Sequence, residues 1–211
     1  MIALIGTRLA EHLGYSALAV AIAALIAVPI GLFVGHTGRG MPLVAGANAL
    51  RALPSLGLMT LLVLLFGLGL MPPIVALVIL AIPPLIAGVS SGIRSAGASA
   101  VDAARAMGMT ESQILWRVEV PNAGPLIVSG FRGAALQVIA TATIAAYVNL
   151  GGLGRFVFDG LAVYDYGEVL LGAVLVAGLA VLVDGLLALA ARLLAPGAGR
   201  ARLRGPALAS A

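Results

Sequence analysis

The sequence predicts an all-α integral membrane protein with about five transmembrane helices, organised as a single domain over residues 1–211. The composition is the first reason, because 62% of the residues are hydrophobic and only 9% are charged. With a mean hydropathy of +1.15, the chain has too little polar surface to cover a soluble globule. The second reason is that apolar runs recur at the length a bilayer requires, about 20 residues at a rise of 1.5 Å.

Five apolar segments meet this length. Ahead of them, Ile2, Ile5, Leu9 and Leu13 recur at helical spacing between polar residues, so residues 1–14 are predicted to form an amphipathic helix on the membrane surface. A cleaved signal peptide is not expected, since the first apolar run is longer than a signal core. The five predicted spans are residues 15–34, 49–66, 73–90, 125–148 and 169–194.

The arginines predict the orientation. Every one of the 12 basic residues is arginine. Eight lie in connections on one side of the predicted spans and two on the other, so the positive-inside rule places the N-terminus outside and the C-terminus in the cytoplasm of a multi-pass plasma or inner membrane protein. The eight are Arg39, Arg94, Arg105, Arg117 and Arg192, with Arg200, Arg202 and Arg204 in the basic tail 195–211; the two are Arg8 and Arg155.

Several chemistries are excluded by what the chain lacks. There is no cysteine, and His12 and His36 are too far apart in sequence to suggest a zinc site, so no metal site is predicted. The net charge of +4 comes without basic patches interleaved with aromatic residues, so nucleic acid is not a predicted partner. Without lysine, a P-loop for ATP cannot be built from this chain. We therefore expect neither an enzyme nor a cofactor in it.

The connection 91–124 is predicted to lie in the cytoplasm and to contain two short helices. The first covers residues 99–107 and ends at Gly108, which can adopt the left-handed conformation. Thr110 and Gln113 form the pattern of a capping box, so a second helix begins there. We expect it to end near Glu119, because Pro121 opposes its continuation. A simple tether between spans has no need of two capped helices.

This helix-turn-helix resembles the loop of the permease subunits of binding-protein-dependent ABC importers. Their motif is Glu-Ala-Ala, three residues, Gly, nine residues, then Ile-x-Leu-Pro. The order of five spans, with this loop between the third and the fourth, is also similar. Here the chain reads Asp102-Ala103-Ala104, then Gly108, then Val118-x-Val120-Pro121.

A narrower resemblance, over most of residues 48–160, is to permeases for quaternary-ammonium osmoprotectants such as glycine betaine, carnitine and choline. It is carried by AARAMGMTESQILWRVEVPNAGPLIVSGFR, TATIAAYVNLGGLG and NALRALPSLGLM. Methionine-type permeases share much of the loop, so amino-acid transport stays an alternative.

The resemblance implies an importer with cytoplasmic ATPase subunits, a second permease subunit that is identical or paralogous, and an extracytoplasmic binding protein. ATP and magnesium would belong to the ATPase, whose closure moves the loop and tilts the spans. It also implies roles for loop residues: Asp102 anchors the loop, Ala103 and Ala104 allow close packing against the ATPase, and Gly108 forms the turn. Val118 and Pro121 complete the coupling motif.

Two readings from other classes remain open at this point. A self-sufficient secondary carrier or channel subunit would equally lack an ATP site. A non-transporting membrane scaffold would have the spans, but it leaves the capped loop without a purpose.

Charged residues inside predicted spans suggest a polar network. Arg132 and Asp184 both lie about 10 to 12 Å from the cytoplasmic ends of their spans, by a rise of 1.5 Å per residue. An intramembrane charge is costly unless it is paired or hydrated, so we expect these two to pair, with Arg51 as a third candidate. Structural bracing and a part in gating are both compatible with such a pair.

Half of the aromatic residues fall between positions 147 and 166, on the predicted outer side. Such rings could hold a cationic substrate by cation–π attraction or contact the binding protein, but an interfacial aromatic belt is the simpler explanation. The Gly-rich stretch 151–154 is expected to let the chain bend there, and Gly31 and Gly35 have the spacing of a helix-packing or subunit contact. The aromatic candidates are Tyr147, Phe156, Phe158, Tyr164 and Tyr166.

Overall fold

The computed structural model describes residues 2–194, and the regular secondary structure of this part of the chain is entirely helical, without strands. The predicted basic tail, residues 195–211, lies outside the described residues. The helices are α1 (Ile2–Thr37), α2 (Met41–Ala49), α3 (Ser55–Phe66), α4 (Met71–Arg94), α5 (Ala98–Ala106), α6 (Glu111–Ile114), α7 (Val120–Ala145), α8 (Gly154–Ala162) and α9 (Tyr166–Leu194).

Four helical segments of the described chain are long and apolar enough to cross a membrane: α1, α4, the continuous segment Glu111–Val148 and α9. A fifth crossing results if the bent pair formed by α2 and α3 counts as one span. The predicted all-α membrane fold is therefore confirmed, with the second span as its irregular member.

The N-terminal residues do not form a separate surface helix, so that prediction is wrong. The 36 residues of α1 run without a break from Ile2 to Thr37, a length of about 54 Å. Ile5 and Leu9 pack against a cluster of side chains from α7, α8 and α9, and His12 is buried. Tertiary packing on the apolar face, rather than a lipid surface, explains the amphipathic pattern of this segment.

The second predicted span, residues 49–66, is broken near its start. Met41–Ala52 and Ser55–Phe66 meet at an angle of 92°. Leu53 adopts an extended conformation (φ −68°, ψ 128°), because a residue that precedes proline is driven out of the helical region. Pro54 is also extended and is the N-cap of α3. The 12 residues of α3 measure about 18 Å, which is shorter than the hydrocarbon core of about 30 Å.

The second loop helix does not end near Glu119, contrary to the prediction. Residues Leu115–Glu119 form a π-helical turn in which the N–H of Val120 donates to the carbonyl oxygen of Leu115. This wider turn accommodates Pro121, which has no N–H to donate and would crowd the preceding turn of an α-helix. The helix therefore continues from α6 through the π turn into α7.

Small residues hold α1 against α4. Ala19, Ala23 and Ala27 are fully buried along one face of α1. Further along the same helix, a Cβ added to Gly31 would lie 2.7 Å from the Cβ of Val89, and one added to Gly35 would lie 2.6 Å from that of Ile93. The Gly-x-x-x-Gly spacing thus serves packing within the chain.

The closest approach of α4 and α7 lies at a pair of glycines. A Cβ on Gly88 would lie 2.5 Å from the Cα of Gly130, and one on Gly130 would lie 2.9 Å from the Cα of Gly88. Since these two helices flank α5 and α6, their contact fixes the base of that loop. We call the end of the bundle that carries α5 and α6 the loop end.

The opposite end contains a short helix that the sequence analysis did not identify. Gly151 and Gly152 have positive φ angles of 91° and 75°, and the chain turns there into α8, as the bend predicted for residues 151–154 requires. α8 packs mainly against α9, which also contacts α7.

Candidate functional site

The first loop helix is closed by a Schellman motif. The N–H of Met109 donates to the carbonyl oxygen of Ala104 (3.2 Å), and the N–H of Gly108 donates to that of Arg105 (2.9 Å). Gly108 has a φ of +80°, the left-handed conformation that this motif requires. The turn predicted at Gly108 is therefore present.

The two alanines of the motif differ in their surroundings. Ala104 is 1% exposed, packed inside the loop, whereas Ala103 is exposed on its outer face. Only Ala103 is free to permit close packing of a partner, and Ala104 instead allows α5 to lie close to the rest of the chain. Val118 is half-buried and Pro121 is exposed.

The second loop helix begins with the predicted capping box. The Thr110 hydroxyl accepts a hydrogen bond from the N–H of Gln113 (3.4 Å), and the side-chain oxygen of Gln113 accepts one from the N–H of Thr110 (2.9 Å). Both ends of the turn between α5 and α6 are therefore fixed by local hydrogen bonds.

An ion pair joins the two loop helices. The Arg105 guanidinium donates to both carboxylate oxygens of Glu111, at 2.9 and 3.1 Å, and this contact raises the pKa of Arg105 above its usual value. Asp102 is 3.5 Å from Arg105, and its side chain is 72% exposed. Asp102 thus makes one long contact inside the loop and presents most of its carboxylate to the outside.

The intramembrane pair predicted from sequence has the geometry of a bidentate ion pair. Arg132 Nε donates to Asp184 Oδ1 at 2.9 Å, and a terminal guanidinium nitrogen of Arg132 donates to Oδ2 at 2.7 Å. Arg51 is placed elsewhere, in a cavity beside Gln137, and within residues 2–194 no hydrogen bond or ion pair joins it to this pair. The contact braces α7 against α9, and its part in gating stays a prediction.

The aromatic residues predicted to lie on the outer side do not form one cage. Phe156 is 5% exposed and belongs to the core, which removes it from the predicted contact residues. The Tyr147 and Phe158 rings lie 5.4 Å apart, tilted by 56°. Tyr147, Tyr164 and Tyr166 are exposed and remain available for contacts.

Two histidines were not identified as structural residues from the sequence. At the end opposite the loop, His12 Nδ1 accepts from the N–H of Leu153 (3.3 Å), and its Nε2 lies 3.0 Å from the carbonyl oxygen of Ile139. These partners assign the neutral Nε2–H form. Glu11 accepts from the N–H of Gly152 at 2.9 Å, so α1 holds the chain that leads into α8. Because the partners of His12 and Glu11 are backbone groups far away in sequence, no residue pattern in the sequence could predict these contacts.

At the loop end, His36 Nδ1 lies 2.6 Å from a carboxylate oxygen of Glu119. Glu119 is buried, although its position in a polar stretch of sequence suggests exposure.

The fold and the loop together define a class: a multi-pass transport subunit that carries an exposed, rigidly capped helix-turn-helix at one end. The chain belongs to the family of binding-protein-dependent transport system inner membrane components, whose model matches residues 27–197. It is thus the membrane component of an ATP-driven importer, and the ATPase is a separate chain.

Relatives of known function cover most of the chain. It is 35% identical to the choline transport system permease protein OpuBB of Bacillus subtilis, over 92% of this chain and 89% of the relative. It is 36% identical to the carnitine transport permease protein OpuCB of Listeria monocytogenes, over 82% of this chain and 80% of the relative. It is 34% identical to the osmoprotectant import permease protein OsmW of Salmonella typhimurium, over 84% of this chain and 85% of the relative.

The fold is shared with solved permeases. A chain of the inward-facing MetNI methionine ABC transporter superposes with a TM-score of 0.82 at 22% identity, over 92% of this chain and 97% of that one. A chain of an amino acid ABC transporter with histidines superposes with a TM-score of 0.69 at 20% identity, over 91% of this chain and 92% of that one. These likenesses extend to the fold alone.

Proposed function

We propose that this chain imports small quaternary-ammonium solutes of the choline, carnitine and betaine class, and that it is moved by ATPase subunits docked on α5 and α6. The observation that carries the coupling role is the loop itself: Ala103 is exposed on a short helix whose end is fixed by Gly108. Because local hydrogen bonds fix the end of this helix, a force applied at Ala103 is transmitted to the rest of the chain.

The orientation follows the arginine distribution, with the N-terminus outside and the loop in the cytoplasm. A binding protein would then deliver the solute at the end that contains α8, where Tyr147, Tyr164 and Tyr166 are exposed. With Phe156 in the core, this chain offers no closed aromatic cage within residues 2–194, which favours a binding protein as the main source of selectivity. A second permease copy, identical or paralogous, would complete the pathway.

The substrate class is supported by the relatives named above. The structural likeness to amino acid importers is too low in identity to favour amino acids as substrates. Family membership favours ATP-driven import over the self-sufficient carrier or channel that the sequence alone left open.

The test is uptake by the complex reconstituted in vesicles with its ATPase and binding protein. We expect radiolabelled choline or glycine betaine to enter only with ATP, and unlabelled methionine not to compete. Uptake by this chain alone, driven by an ion gradient, would refute the proposal. Ala103→Arg should abolish uptake and stimulated ATP hydrolysis while the protein stays in the membrane, and Ala103→Ser is the matched control because serine adds only one atom to the docking face.

A further inference from the structure

A buried acid and a histidine meet at the loop end without a role in the coupling described so far. His36 is the penultimate residue of α1, and Glu119 is the last residue of the π turn. Their side chains are 14% and 6% exposed, and His36 Nδ1 lies 2.6 Å from a Glu119 oxygen. A buried carboxylate needs a close partner, and His36 supplies one.

The contact extends from α1 to the surface of the loop. His36 Nε2 lies 3.4 Å from an oxygen of Glu111, and the same carboxylate accepts two hydrogen bonds from Arg105 on α5. A continuous set of polar contacts therefore joins the first helix to the helix that carries the exposed Ala103. The packing of α1 is otherwise mainly against α4 and α7.

Two backbone features bring the pair together. Gly35 lets the end of α1 approach α4, since a Cβ there would lie 2.6 Å from that of Ile93. The π turn inserts one residue into the helix, which turns Glu119 by about 100° relative to a regular continuation of α6. A cavity of about 230 Å³, lined by His36 and Glu119 together with Arg94, Asp102 and Arg105, adjoins the pair and leaves room for these side chains to shift.

We propose that His36 and Glu119 are a positioning pair that makes α1 follow the coupling loop when the ATPase closes. Packing of small residues holds α1 against α4 but does not tie it to the loop, whereas the buried, charge-assisted hydrogen bond between His36 and Glu119 fixes one end of α1 to the moving element. The inference rests on the proposed docking of an ATPase on the loop, and it is independent of the substrate.

The first test is the number of ATP molecules hydrolysed per solute imported by the reconstituted complex. Glu119→Gln and His36→Gln should raise this ratio by about tenfold, which is the scale of losing one charge-assisted hydrogen bond. Thr37→Ala is the matched control, because the Thr37 hydroxyl makes only local contacts: it donates to the carbonyl oxygen of Phe33 and accepts from the N–H of Arg39. A purely structural role would lower uptake and hydrolysis together, and an unchanged ratio would overturn the proposal.

The second test needs no substrate. The chain has no cysteine, so spin labels can be attached at Thr37→Cys and Ser112→Cys without first removing native cysteines. We expect the same distance between the labels in the nucleotide-free complex and in the complex trapped with ATP and vanadate, and a changed distance on trapping when Glu119→Gln is added. Equal behaviour of the two proteins would overturn the proposal. If choline and betaine are not transported, the substrate class fails while this measurement still decides the role of the pair.

Discussion

The contact between Gly88 and Gly130 gives the sharpest test of the packing. In Gly88→Ala, the new methyl carbon would lie 2.5 Å from the Cα of Gly130 and 3.0 Å from the carbonyl oxygen of Leu126. Carbon atoms in contact prefer about 3.5 to 4.0 Å. The helices α4 and α7 must therefore separate by roughly 1 Å or more.

Overpacking of this kind costs about 1 to 3 kcal/mol, and alanine recovers up to about 1 kcal/mol through its higher helix propensity. We expect Gly88→Ala to lower the free energy of unfolding by about 0 to 3 kcal/mol. The matched control is Gly124→Ala in α7, where an added Cβ meets nothing within 4 Å. That variant should be neutral or slightly more stable.

The assay is denaturant-induced unfolding in mixed micelles, followed by helical circular dichroism. Gly130→Ala should behave like Gly88→Ala, and the double variant should cost less than the sum, because the first methyl already separates the helices. The reasoning is refuted if Gly88→Ala is no less stable than Gly124→Ala.

Three further predictions concern the polar contacts and the turn. Replacing either Arg132 or Asp184 with leucine should lower the yield of folded protein in the membrane more than replacing both, since a single change leaves an unpaired charge. If the charge-swapped double variant gave no higher a yield than the single variants, that result would argue against the pair. His12→Phe should raise backbone hydrogen exchange at positions 151–154 by roughly fivefold to a hundredfold, because about 1 to 3 kcal/mol is lost when a buried hydrogen bond is broken. Protection equal to wild type would contradict the contact of His12 with this turn. Gly108→Val should abolish substrate-stimulated ATP hydrolysis while membrane insertion persists, because valine opposes the φ of +80°; unchanged stimulation would remove Gly108 from the coupling role.

Local features were predictable from the sequence because their physical causes lie within a few residues. The capping box needs only Thr110 and Gln113, and the end of α5 needs only a glycine at position 108. The pairing of Arg132 with Asp184 was also accessible, because two opposite charges at similar depth in an apolar chain have few alternatives.

Two of the errors arise where proline admits more than one backbone conformation. Hydropathy is continuous across residues 49–66, so the apolar run concealed the break that Pro54 introduces. At Pro121 the helix was predicted to end but continues, because a π turn accommodates the absence of an N–H at proline. The hydrogen bonds of His12 could not be predicted for a different reason, since its partners lie 127 and 141 positions away in sequence.

The continuous helix that results from the π turn has a mechanical consequence. The segment Glu111–Val148 comprises 38 residues, so it forms a lever about 57 Å long with the loop at one end and the chain that leads into α8 at the other. A tilt of about 5° displaces one end of such a lever by about 5 Å relative to the other. In the sequence, Pro121 stands between the loop and the membrane-spanning residues. Because the helix continues through this proline, a small rotation of the loop on one face of the bilayer is carried through to the other face.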